Sequence, residues 1–340
     1  MQKTVTFGEI MLRLQPPSYE RILQAKSFDA TFGGGEANVA VSLATLDMNA
    51  AFVTKLPDNM IGISCRNELR KWGVDTGKIV FGGDRLGIYY CEKGASQRAS
   101  NVIYDRAGSS VAMSSSEDYD WNSIFEGVDW FHFTGITPAL GGNMPEICEQ
   151  ACKAAKQKGI TISCDLNYRK KLWSREEAKK SMSNLCQYVD VLIANEEDSE
   201  SVFGISAPNS NIEGGELSKE GYISVAKQLC DTFKLKKVAI TLRKSYSASI
   251  NGWSGMLFDG KNAFFSKEYT INIVDRVGGG DSFGAGLIYS LLNDKSSSEA
   301  IEFAAAASCI KHTIEGDFNI CTKAEVEALV KGGGNGRVNR

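Results

Sequence analysis

Asp275-Arg276-Val277-Gly278-Gly279-Gly280-Asp281-Ser282-Phe283-Gly284-Ala285-Gly286 is the stretch that decides the fold. Three consecutive glycines stand before a helix-like run at 282–292, with Asp281 in its first turn. Glycine lets successive backbone N–H groups point into one concavity, and a helix N-terminus adds positive potential there. Such a nest suits an anionic group whose charge grows during reaction, and a carboxylate at its mouth suits proton abstraction. Taken alone, the stretch reads equally well as a tight turn with an acidic residue favoured at a helix start. It is not a Gly-x-x-x-x-Gly-Lys-Ser/Thr phosphate loop, nor a Gly-x-Gly-x-x-Gly turn after an early strand.

Working outward, helix-like runs at 297–313 and 322–330 follow, and a Gly-punctuated, antiparallel stretch at 246–265 precedes. Further upstream, strands at 128–133, 160–165, 189–194 and 237–242 alternate with helices at 145–158, 174–186 and 218–233. Ser174 and Glu177 have capping-box spacing. Strand–helix alternation at these lengths predicts a parallel sheet covered on both faces. Near the start, a strand at 4–10 precedes a second glycine cluster, Gly33-Gly34-Gly35-Glu36-Ala37-Asn38. A helix at 39–46, a strand at 51–55 and a helix at 62–72 follow it. The short β-type runs at 78–81, 87–92 and 101–104 leave no room for a long helix. They predict a small antiparallel sheet forming a lid from segments 12–32 and 77–110. The Gly-rich tail at 331–340 is expected to be disordered.

With 340 residues the chain can bury a large core without staples. A formal charge of −3 gives no global basic field for nucleic acid. No N-terminal signal peptide and no run of about 18 apolar residues is present, so no membrane partner is expected. The nine cysteines are odd in number. Cys148 and Cys152 have no second pair or histidine nearby to complete a metal site. Reduced, structural thiols are expected, and with them a cytoplasmic location. His132, His312, Trp72, Trp121 and Trp130 read as packing residues.

Residues 275–281 resemble the Asp-Thr-x-Gly-Ala-Gly-Asp signature of the ribokinase-like (PfkB-type) carbohydrate kinases. Residues 33–38 resemble that family's Gly-Gly-x-x-x-Asn signature. The two occur in the family's order with a βαβ core between them, and the resemblance covers about residues 4–330. It implies an α/β ribokinase-like domain over 1–330, a central mostly parallel sheet flanked by helices, with a small β-sheet lid. It implies ATP and Mg²⁺, with Asp281 as general base and Gly278, Gly279 and Gly280 stabilising the transferring group. Asn195, Arg243, Gly278 and Gly280 would then contact nucleotide. Asn195-Glu196-Glu197-Asp198 resembles the family's Asn-x-x-Glu, so Asn195 and Asp198 would support Mg²⁺ through water. A monovalent cation, K⁺, is implied near Asp275 and Val277, and a homodimer through the lid.

Several local runs resemble the 2-keto-3-deoxygluconate kinase branch of the family. Residues 34–38 match its substrate loop, placing Gly34, Gly35 and Asn38 against the sugar acid. Tyr104-Asp105-Arg106, Gly135-Ile136-Thr137-Pro138-Ala139-Leu140 and Asp165-Leu166-Asn167-Tyr168-Arg169 match further stretches, and Glu315-Gly316-Asp317 resembles a segment whose Asp reaches the substrate. A 2-keto acid presents a carboxylate and a ketone. Arg106 and Arg169 offer planar forks for that end, and Tyr89 and Tyr104 offer hydroxyls. The expected reaction is ATP-dependent phosphorylation of 2-keto-3-deoxygluconate at its C6 hydroxyl. Fructokinase, ribokinase and 2-keto-3-deoxygalactonate kinase activities are the rivals inside the enzyme class, with a catalytically inactive sugar-acid sensor as the rival from another class. Three departures stand out. Residues 242–248 lack the family's Lys-x-Gly-x-x-Gly glycines, Asp198 replaces Glu, and Gly279 replaces Ala with an expected slight loosening of the loop.

Overall fold

The computed structural model describes residues 2–207 and 218–333. The chain opens with β1 (Lys3–Phe7), β2 (Met11–Gln15), β3 (Asp29–Gly33), α1 (Gly35–Thr45), β4 (Asn49–Val53) and β5 (Lys55–Leu56). Next come α2 (Met60–Lys71), β6 (Val80–Phe81), β7 (Gly87–Glu92), β8 (Asn101–Asp105), α3 (Trp121–Ile124) and β9 (Trp130–Thr134). The middle holds α4 (Ile136–Ala139), α5 (Met144–Gln157), β10 (Thr161–Asp165), α6 (Arg175–Leu185), β11 (Val191–Asn195) and α7 (Glu196–Phe203). Then follow α8 (Lys219–Phe233), β12 (Lys237–Ser245), β13 (Ile250–Phe258), β14 (Ala263–Phe265) and β15 (Tyr269–Asn272). The helices α9 (Gly279–Leu292), α10 (Ser297–Lys311) and α11 (Lys323–Val330) close the described chain.

The central sheet runs β14-β13-β12-β11-β10-β9-β1-β4, with β15 pairing β13. From β12 through β4 every neighbour is parallel, and β13 turns antiparallel. Apolar runs buried on both faces produce this arrangement. Within β9, Phe131 and Phe133 enter one core with Phe7, Met144 and Phe125. Trp130, one residue off in phase, enters the opposite core with Phe52, Phe283 and Ile301. Each fully buried phenylalanine contributes about 1.5–3 kcal/mol of apolar transfer.

The expected helix at 174–186 forms as α6 with Ser174 at its N-cap and the full capping box, the Ser174 N–H donating to Glu177 Oε2 at 2.8 Å. Two helices begin three or four residues earlier than the apolar pattern indicates. α1 starts at Gly35 and α9 at Gly279, because the leading glycines are helical yet carry no periodic apolar side chain.

The lid is a four-stranded sheet of order β3-β2-β7-β8. It is mixed, not antiparallel as expected: β2 and β7 run parallel. The chain leaves β2 through β3, α1, β4 and α2 before returning, and a crossover of that length delivers a parallel partner. The 78–81 run also falls outside the lid, since β6 pairs with β5 in a separate two-stranded ladder. The expected tail beyond residue 333 lies outside the described residues. All nine cysteines are free thiols, and no described helix is long and apolar enough to cross a membrane.

Candidate active site

Parallel strands bring their carboxyl ends to one edge of the sheet, where open α/β sheets place ligands. Glu9 follows β1, Ile136 follows β9, Asp165 and Asn195 close β10 and β11, and Thr241 lies in β12. With Met11, Tyr89 and Tyr104 from the lid and the start of α9, they line a cleft of about 400 Å³. Every residue named from sequence as a substrate, nucleotide or catalytic contact lines this cleft, as do Asp198 and Val277; Asp275 lies just behind it.

Asp281 sits in the first turn of α9, and Asn38 Nδ2 donates to its Oδ2 at 2.7 Å. Asn38 is itself aimed from the other side, its Oδ1 accepting from the Gly34 N–H at 3.2 Å. Oδ1 of Asp281 accepts no hydrogen bond from the described residues, which leaves it for a ligand. Burial pushes the Asp281 carboxyl up to about 6, with Asp317 adding to the rise and Asn38, Arg169 and Lys311 opposing it. A base poised there abstracts a proton more effectively at neutral pH than an ordinary aspartate.

The glycines before Asp281 have separate reasons. Gly278 takes φ +81°, and a Cβ there would stand 2.0 Å from the Asp317 carbonyl oxygen. A Cβ on Gly279 would stand 2.4 Å from the His312 ring. Gly280 faces open space. The Ala-to-Gly departure at 279 is therefore no loosening: the imidazole of His312 occupies the room of the missing methyl. His312 Nδ1 lies 2.7 Å from the Ser308 carbonyl, its ring packs on Trp253, and burial pulls its pKa down to about 4. Gly279 N–H reaches back to the Arg276 carbonyl at 3.3 Å. The amides of Gly278, Gly280 and Asp281 bond to no backbone carbonyl among the described residues, which leaves them available to an anion.

Behind this loop lies a buried polar network. Arg13, 1% exposed, donates to Asp317 at 2.7 Å and to Asp275 at 2.5 Å. The Tyr89 hydroxyl donates to Asp317 at 2.6 Å, so Tyr89 and Asp317, each named as a substrate contact, are partners of one another. Asp275 also accepts from the Val277 and Gly316 N–H groups, each at 3.1 Å. Asp317 abuts Gly33, where a Cβ would stand 1.9 Å from its carboxylate.

A second set of carboxylates faces the loop. Burial, then the neighbouring Asp198 and Asp281, push Asp165 well above the usual carboxylate range. Burial raises Asp198 to about 7, and Asn195 Oδ1 accepts from the Asp198 N–H at 2.8 Å as the N-cap of α7. Asn167, between them in the chain, holds φ +39°. Arg169 is exposed, and its one hydrogen bond among the described residues is to the Tyr168 carbonyl, at 3.2 Å. Arg106 is buried against Glu9 in an ion pair and lies over the Tyr104 ring. Glu36 is wholly buried beneath the loop, its carboxylate held by Thr134 and Thr137 and pushed up to about 7 by burial.

After Leu242 there is no glycine loop: β12 continues to Ser245 and pairs with β13 as a hairpin. Arg243 stacks over Trp253, 5.3 Å from the ring. The residues that sequence reasoning left unassigned are Arg13, Asp165, Glu9, Glu36 and Lys311. Asp165 and Glu36 stood inside quoted motifs. Arg13 and Lys311 carried no signal, because a lone basic residue in a strand or helix reads as surface.

The profile of the pfkB family carbohydrate kinases matches residues 1–322. A solved 2-dehydro-3-deoxygluconokinase from Thermotoga maritima is 52% identical, has a TM-score of 0.94, and the match covers 97% of this chain and 99% of that one. A 2-dehydro-3-deoxygalactonokinase of Haloferax volcanii is 33% identical over 332 residues, 98% of each chain. A 2-dehydro-3-deoxygluconokinase of Bacillus subtilis is 26% identical over 318 residues, covering 93% of this chain and 91% of the other.

Proposed function

We propose, from the premise that the chain belongs to the pfkB family of carbohydrate kinases, that it phosphorylates the C6 hydroxyl of 2-keto-3-deoxygluconate with ATP as donor. The carrying observation is the Asn38–Asp281 hydrogen bond beside three backbone amides at the mouth of one cleft. The names of the similar proteins, 2-dehydro-3-deoxy sugar-acid kinases, support the substrate class.

The sugar acid would lie between Gly34, Gly35 and Asn38 on one side and Tyr104 on the lid. Arg169 would hold its carboxylate, with Arg106 behind. As the C6 oxygen bonds to the γ-phosphorus, its proton passes to Asp281 Oδ1 and the bond from that phosphorus to the β,γ-bridging oxygen breaks. ADP departs with that electron pair. The amides of Gly278, Gly280 and Asp281 stabilise the transferring group, and the α9 dipole reinforces them. Arg243, which lies over the Trp253 ring, would contact the nucleotide phosphates.

Burial makes Asp165 and Asp198 hold protons abnormally tightly, with Asp198 adding to the rise at Asp165, and a divalent cation would relieve this. Asp198 and Asn195 would orient water around Mg²⁺, which when bound neutralises charge on the phosphates. The lid excludes water that would otherwise compete as nucleophile.

A coupled ADP-release assay over a sugar panel tests the reading. Both 2-keto-3-deoxygluconate and its C4 epimer, the galactonate, belong in the panel, since a relative is named for the latter. Turnover of fructose or ribose well above either acid would overturn the carboxylate reading. Tight sugar-acid binding without ADP would indicate a sensor instead.

A further inference from the structure

Family resemblance places a monovalent cation beside Asp275 and Val277, and the side chains there do not suit one. Both oxygens of the Asp275 carboxylate accept from N–H donors: Oδ1 from Val277, Oδ2 from Arg13 and Gly316. These three donors take up most of the carboxylate's lone pairs, which leaves a cation little to bind. The strongest feature of this region is instead Lys311, the last residue of α10. It is 0% exposed, which is rare for a lysine unless it is paired or has a task. Its Nζ donates to the Ile314 carbonyl at 3.1 Å. Its Cε lies 3.2 Å from where a Cβ on Gly278 would stand, so the side chain runs directly behind the anion loop. Burial pulls its pKa down, while the charges of Asp275, Asp317 and Asp281 hold it up.

We propose that the Lys311 ammonium is a built-in cation behind the 278–280 loop, standing in for the K⁺ that the family resemblance would place there. An inorganic cation and an ammonium do the same electrostatic work here. Each binds a backbone carbonyl, here that of Ile314, and sets positive charge behind amides that receive a phosphoryl group. The fixed version has no off-rate and no dependence on ionic composition. Arg13 completes it by neutralising Asp275 and Asp317 from the lid side. Lys311 touches neither substrate in this account and is a positioning residue for the loop.

This inference rests on the kinase reading for its kinetic arm only. In that arm, the rate of the full-length protein is measured with Mg²⁺, ATP and sugar acid in potassium and in tetramethylammonium buffers of equal ionic strength. The wild-type rate should differ by less than about twofold between them. A drop of about tenfold or more without potassium overturns the proposal. Lys311→Ala should lose about 10²-fold and regain part of it with potassium or ethylammonium, but not with tetramethylammonium. A folded Lys311→Ala with unchanged rate, or with no cation response, also overturns it. Should that variant fail to fold, the wild-type comparison alone decides. The second arm needs no substrate. Wild-type melting temperatures should coincide in the two buffers, whereas a site that binds potassium would stabilise the protein by mass action. Equal melting with no turnover of any sugar acid would defeat the kinase reading and leave this one standing.

Discussion

Asn38 Nδ2 and Asp281 Oδ2 are 2.7 Å apart, joining the starts of two glycine-led helices that lie 243 residues apart in sequence. The bond fixes one carboxylate oxygen and leaves the other for a hydroxyl. Asp281→Asn keeps the shape and removes the base. It should leave sugar-acid binding intact, measured calorimetrically, and lower kcat by about 10²–10⁴. Near-normal turnover would remove Asp281 from the mechanism.

The two glycine clusters that meet there were legible in the sequence, since each announces itself and ends in a polar residue, but the bond between them appears only in the structure. The network behind it was not legible. Arg13 alternates with apolar neighbours in a lid strand, and Lys311 is a lone cation at the end of an alanine-rich, largely buried helix. Only the tertiary fold shows that both point inward. The lid's parallel β2–β7 pairing was hidden for a related reason, because short strands reveal their phase but not their partners. His312 is instructive in the opposite sense. Gly279 alone reads as slack, and it becomes a packing requirement once the imidazole behind it is seen.

The raised pKa of Asp281 makes an acid limb in the pH profile. A base acts only when ionised, so kcat/KM should fall as pH drops through about 6, the value to which burial lifts this group. An ordinary aspartate would hold activity to about pH 4. A limb near 4 in the pH–rate profile would show that the carboxylate is solvated in the working enzyme.

Gly279 and His312 should behave as a coupled pair. Gly279→Ala drives a methyl into the imidazole, and overpacking of this kind costs about 1–3 kcal/mol. His312→Ala leaves a cavity of its own. The double variant should recover part of both losses, with a coupling energy of about 1 kcal/mol or more from denaturant melts. Additive losses would mean that the ring swings aside without cost.

Arg13 holds two carboxylates that have little access to water. Arg13→Met should therefore destabilise the fold by about 3–5 kcal/mol, the range for stranding buried charge, read as a lowered urea midpoint. The companion change Asp275→Asn in the same chain should restore part of it. A loss below about 1 kcal/mol would mean that water enters the network.

Arg169 separates substrate recognition from base chemistry. Its guanidinium is exposed at the cleft and lowers the proton affinity of Asp165, Asp198 and Asp281. Arg169→Ala should raise KM for the sugar acid by about tenfold or more and change KM for ATP little. It should also move the acid limb of kcat/KM to higher pH, because those carboxylates lose an opposing charge. Arg169→Lys keeps the charge without the fork. It should leave the limb in place while KM still rises, since one ammonium cannot grip a carboxylate bidentately. If both variants move the limb equally, Arg169 acts by packing; if neither changes KM, the acid end of the substrate lies elsewhere in the cleft.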